Sequence, residues 1–271
     1  MIHLKNNRMS MDISENGAYV THISIDGKEA IKKGDIKSKT HGGIAPLFPY
    51  ANRIENGIYS FNGTVYKLRL NKEGNSSHGF GKDKEWDILA IEENRVQMKT
   101  LLEDEGYPFK VECMIDFSLL ESGFSIVSKF LCMEGEAPIS PGFHPYFNTG
   151  PNWKLKFSSK PLKVIKKDSY FPSGNYMEFF KTVKPRVVGA YDDCFRYSGP
   201  VSIQGNAFTF DMETIGSKFL MLYNGKYAGK NYVAVEPMSS GINSFNTGED
   251  LVILGKDQSY NFGFSINISK N

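Results

Sequence analysis

KVECMIDFSLLESGFSIVSKFLC, residues 110–132, alternates apolar and polar side chains along two runs, with Glu121-Ser122-Gly123 between them. A period of two belongs to an extended strand, whose successive side chains point to opposite faces. Two such runs joined by a short polar turn with a glycine read as an antiparallel hairpin. The pattern recurs outward from here. AYVTHISIDGKEAI (18–31) turns at Asp26-Gly27, and GIYSFNGTVYKLRL (57–70) turns at Asn62-Gly63. Both dipeptides accept the positive φ that a tight hairpin needs. EWDILAIEENRVQMKTLL (85–102), FLMLYNGKYAG (219–229), YVAVEP (232–237) and LVILGKDQSYNFGFSINI (251–268) continue it. No segment carries a helical stripe of three turns. The expectation is an all-β chain, a large antiparallel β-sandwich, with 1–271 as a single domain and a ligand on an open concave face. The stretch from Pro151 to Pro185 is the least regular.

Composition removes several functional classes. A net charge of +2 with interspersed signs gives no footprint for nucleic acid. No apolar run approaches the ~18 residues of a membrane span. The first twenty residues lack the apolar core of a signal peptide, so a cytoplasmic location is expected. Three widely spaced cysteines, Cys113, Cys132 and Cys194, fit neither a disulfide framework nor a zinc site. They read as reduced, buried thiols. Nothing near Cys194 in sequence would activate it as a nucleophile.

Five stretches interrupt the strand pattern with chemistry-bearing residues. PLFPYANRIENG (46–57) holds Arg53, a rigid donor fork suited to oxygen-rich ligands, though a surface ion pair is the plainer reading. NSSHGFGKDKEW (75–86) places His78 before a glycine and ends on Trp86, whose face could stack on a sugar ring. PGFHPYFN (141–148) fixes His144 between prolines and aromatics, which is either core packing or a held proton carrier. YDDCFRY (191–197) pairs Asp192 with Asp193, a motif that is often a surface turn. YVAVEPMSSGINSFN (232–246) runs an apolar strand straight into Glu236, a charge that needs a partner or a task there. No spacing suits a metal cage, a GxSxG elbow or a phosphate-binding glycine loop.

In combination and order these motifs resemble the aldose 1-epimerase (galactose mutarotase) family from about residue 40 to the C-terminus, most specifically in HPYFN and EP. The resemblance implies a mutarotase-type supersandwich with a sugar cleft, a small-molecule sugar as partner and no cofactor. It implies Glu236 as general base, His144 as general acid, and His78, Arg53 and Asp192 as sugar-binding residues, with Asp193 the rival for the last role. The His78-Gly79-Phe80 form and the short length look like the branch near the sugar-phosphate epimerases, where Lys82 would be the cation available to a phosphate. A non-catalytic sugar-binding protein is the remaining alternative.

The implied chemistry opens a pyranose ring, turns the aldehyde and closes it again. The anomeric hydroxyl loses a proton while the ring oxygen gains one. With reference pKa values near ~4.3 and ~6.5, an ionised Glu236 and a protonated His144 would serve.

Overall fold

The computed structural model describes residues 1–185 and 187–271, and it is almost wholly β. An eleven-stranded sheet and a nine-stranded sheet face each other, all named strand pairs being antiparallel within both. Among the described residues the one α-helix is Ser244–Thr247, and no helix is long and apolar enough to cross a membrane.

The opening hairpin lies in the nine-stranded sheet as Tyr107–Leu120 and Gly123–Cys132, closing at Leu120 opposite Gly123. Gly123 is required there. A Cβ on it would meet the Ile266 carbonyl oxygen at 1.8 Å, because the strand Ser259–Lys270 pairs along its other side. Alternation sends Val111, Cys113, Ile115, Phe117 and Leu119 into the core. The Asp26-Gly27 and Asn62-Gly63 turns both take positive φ, as those dipeptides predict. Pro151 to Pro185 is more regular than its sequence, since it supplies Lys154–Phe157, Leu162–Lys166, Pro172–Glu178 and Thr182–Val183. Its strands are short and, in the outer pair, exposed, so the apolar alternation that marks a buried strand is faint.

What positions the site is the middle of the eleven-stranded sheet. The strands Ile44–Leu47, Gly142–Asn148, Tyr232–Met238, Phe219–Tyr223 and Asp192–Arg196 lie side by side in that order. One face of them packs on the nine-stranded sheet. Phe143 stacks on Phe262 and meets Phe264 edge-on, with ring centroids 5.7 and 5.3 Å apart. Phe147, Val233, Val235, Leu220, Leu222 and Phe195 share that core. Every intervening residue therefore points to the opposite face.

Candidate active site

Register brings that opposite face into rows. Gly142 pairs with Met238 and Tyr146 with Ala234, which sets His144 across from Glu236. Ala45 stands opposite His144 on one side, and Met221 opposite Glu236 on the other. Cys194 is next, opposite Met221. A second row, two residues along, runs Tyr146, Ala234, Tyr223 and Asp192. Side chains directly opposite across an antiparallel pair are neighbours. His144 Nε2 accordingly lies 3.4 Å from Glu236 Oε1, with both side chains buried.

This floor opens into a cleft of about 370 Å³ that gathers all five residues singled out in the sequence: Arg53, His78, His144, Asp192 and Glu236. Asp192 lines it. Asp193 pairs with Lys163 at 2.8 Å on the other face of the strand, as alternation requires. His78 approaches His144 edge-on, with ring centroids 5.5 Å apart. His78 and Gly79 are both left-handed, and a Cβ at Gly79 would fall 2.0 Å from the Phe48 carbonyl oxygen. The glycine thus lets the loop fold against Phe48 and turn the imidazole into the cleft. Arg53 satisfies both readings of it. Its guanidinium bonds Glu73 at 3.1 Å and lies 4.3 Å over the Tyr170 ring, and all three side chains line the cleft.

Burial works against the protonation expected from reference values. Burial pushes the Glu236 carboxyl well above the usual carboxylate range; the Asp192 charge adds to this and Arg53 opposes it. Burial pulls His144 down to about 3, with His41 adding to the shift. Both shifts run toward a neutral imidazole and a protonated carboxyl, a distribution that carries one proton, as the ionised pair does, but on the other partner. Burial also holds His78 well below the usual imidazole value, helped by His144 and Lys82. His144 Nδ1, His78 Nδ1 and Asn52 Oδ1 are buried without a hydrogen-bond partner in the protein. Unmet polar atoms of this kind are costly, and the three residues that carry them line one cleft.

Other expectations move. Trp86 is core: its indole is buried, donates to the Gly81 carbonyl at 2.9 Å and packs near Phe48. Tyr146, Tyr170, Tyr223 and Tyr227 are the aromatic rings of the cleft. Tyr146 follows His144 by two in a strand, so alternation could have found it; the others had no such signal. Lys82 lines an adjoining cleft of about 470 Å³ beyond Ser77 and His78, and bonds the Gly79 carbonyl and Asp83. The three cysteines are free and buried, and burial raises the Cys194 thiol. Among the described residues no group of three His, Cys, Asp or Glu side chains is set to hold a metal ion.

A two-sheet sandwich with a buried His–Glu pair on its open face defines a class that comparison identifies. The family model for aldose 1-epimerase matches residues 1–267, and the chain belongs to that family. It is 23% identical over 239 residues to the uncharacterized protein YihR of Escherichia coli strain K12, covering 81% of this chain and 77% of that one. It is 26% identical over 184 residues to human galactose mutarotase, covering 62% of this chain and only 53% of the human protein. The fold is that of a GalM/aldose epimerase homologue from C. elegans, with a TM-score of 0.87 at 15% identity over 99% of this chain and 98% of that chain. A galactose mutarotase-like protein from Lactobacillus casei superposes with a TM-score of 0.86 at 16% identity, over 99% of this chain and 100% of that one.

Proposed function

We propose that the protein is an isomerase that interconverts the α and β anomers of an aldopyranose by general acid/base ring opening. The observation that carries this reading is the buried pair: Glu236 and His144, 3.4 Å apart on the floor of a cleft. Both can reach one sugar ring, as proton transfer demands.

In the forward step the Glu236 carboxylate takes the proton of the anomeric hydroxyl, and the His144 imidazolium gives one to the ring oxygen. The bond from C1 to the ring oxygen breaks, leaving an aldehyde, a protonated Glu236 and a neutral His144. After rotation about the bond between C1 and C2, the transfers reverse and the ring closes on the other face. The distribution favoured by burial in the resting pair is the one that accompanies the open aldehyde. Moving that one proton from Glu236 to His144 readies the site for the closed ring. Sugar hydroxyls donating to the carboxylate favour this transfer. His78, Arg53 and Asp192 hold the remaining oxygens.

A free aldose is favoured over a sugar phosphate. Arg53 is engaged by Glu73, and Asp192 adds a further acid to the same cleft. The adjoining cleft, with Arg69, Lys82 and Lys84, is what speaks for a phosphorylated substrate. Polarimetry on freshly dissolved α-D-glucose and α-D-galactose, beside the same sugars 6-phosphorylated, separates these readings. Acceleration by the protein and none by Glu236→Gln is expected. Binding without acceleration by the wild type would leave a carbohydrate-binding protein.

A further inference from the structure

The cleft has a wall that neither the motifs nor the proton chemistry explains. The His41 imidazole lies flat on the Tyr227 ring, with centroids 3.5 Å apart and planes inclined by 13°. These residues come from two loops far apart in the chain, and both line the cleft. Beneath the stack, the Lys32 ammonium donates to the main-chain carbonyl of His41 at 2.7 Å and to that of Tyr227. It also sits 5.7 Å over the Tyr146 ring and 6.0 Å over the Tyr232 ring. Among the described residues Lys32 makes no ion pair with an acid. Lys32 is half-buried, and an ammonium partly withdrawn from water without a carboxylate is costly. Here its hydrogens meet carbonyl oxygens and its charge meets aromatic faces.

The arrangement reaches His144 as well. The Tyr146 hydroxyl donates to the Thr40 carbonyl, next to His41, at 3.0 Å, and the Tyr146 ring backs His144 with centroids 4.8 Å apart. We infer that Lys32 is a positioning residue: it clasps the loops 33–43 and 224–231 together, so that the His41–Tyr227 stack stands as a fixed wall against the bound sugar. The inference rests on the proposed function only for what the wall holds; the clasp itself does not depend on it. Because the stack is flat and aromatic, the surface it offers suits the C–H face of a pyranose rather than a charged substituent. Lys32 keeps its influence electrostatic too, since its charge, after burial, helps hold His41 below the usual imidazole value.

Two measurements on Lys32→Met and Lys32→Arg test this. Amide hydrogen exchange reads the clasp without any substrate. In Lys32→Met both loops should lose protection together, while the strand Gly142–Asn148 keeps its own; Lys32→Arg, still able to donate to both carbonyls, should restore it. Mutarotation kinetics on whichever aldose the wild type accelerates should give Lys32→Met a KM raised about tenfold, the scale of lost charged hydrogen bonds, with a smaller fall in kcat and rescue by Lys32→Arg. Unchanged exchange in the 224–231 loop, or an unchanged KM in a folded Lys32→Met protein, would overturn the inference. If the wild type accelerates no sugar, the proposed function fails, and the exchange measurement still decides the clasp.

Discussion

His144 and Glu236 are direct cross-strand neighbours, set by register on two adjacent strands rather than by loops. A pair seated this way is held by the sheet's own hydrogen bonds and by the packing of Phe143 and Val235 on the reverse face. The pair is therefore presented to the cleft in one geometry, which is what the proposed proton transfer requires.

Removing either partner should abolish most turnover and leave the fold. Glu236→Gln and His144→Asn should each lower kcat by about 10² to 10⁴, the usual weight of one positioned proton carrier. Circular dichroism and the urea midpoint should stay near wild type for Glu236→Gln, which keeps the side chain's volume, and shift modestly for the smaller His144→Asn. The double variant should lose little more than either single one, since the two act as a unit. Near-normal rates in either single variant would mean the roles are misassigned.

The pH dependence follows from the protonation of the pair. The competent form carries one proton on the two groups. It gains a second as His144 titrates, at about 3, and loses its only one as Glu236 ionises, well above the ordinary carboxylate value. As pH falls from neutral, kcat/KM should therefore hold through the normal imidazole range and decline only as pH approaches about 3. As pH rises, activity should fall when the pair is emptied of its proton. A decline centred near the free imidazole value would show that burial does not control His144.

Asp192 and Asp193 should separate cleanly. Asp192→Asn should raise KM about tenfold by weakening a charged hydrogen bond to a sugar hydroxyl. Asp193→Asn should leave KM alone and cost at most ~1 kcal/mol through its ion pair with Lys163. Equal KM effects from the two would contradict the alternation that puts them on opposite faces.

Gly79→Ala tests the loop that carries His78. A side chain there faces both a left-handed backbone and the Phe48 carbonyl 2.0 Å away. Destabilisation on the order of 2–3 kcal/mol is expected, with a raised KM as the imidazole shifts. A midpoint in urea equal to wild type would mean that the loop tolerates a different path.

Much of this was legible before any coordinates. Alternation alone announces the hairpin at 110–132, and Asp26-Gly27 and Asn62-Gly63 announce their turns. Glu236 at the end of an apolar strand and His144 between aromatics were visible as residues out of place, and the family resemblance put them together. Local pattern fails where neighbours come from elsewhere in the chain. Trp86 looked like a sugar platform because nothing in its own stretch reveals Phe48 above it. Nothing in its own stretch singles out Lys32, and only the arrival of the 224–231 loop gives it a second carbonyl to hold. Protonation is the feature least legible in the sequence. Reference values describe groups in water, whereas both members of this pair are enclosed.

The cross-strand seating of His144 and Glu236 has a kinetic side. The two residues lie far apart in the chain, and the strands that bear them pair only once the long connection between them has closed. No fragment or early hairpin contains both. The proposed turnover is then a late signal in refolding: it should appear with the last cooperative closure of the central sheet, after the local hairpins at 110–132 and 18–31 have formed, and so serve as a clock for completion of the fold.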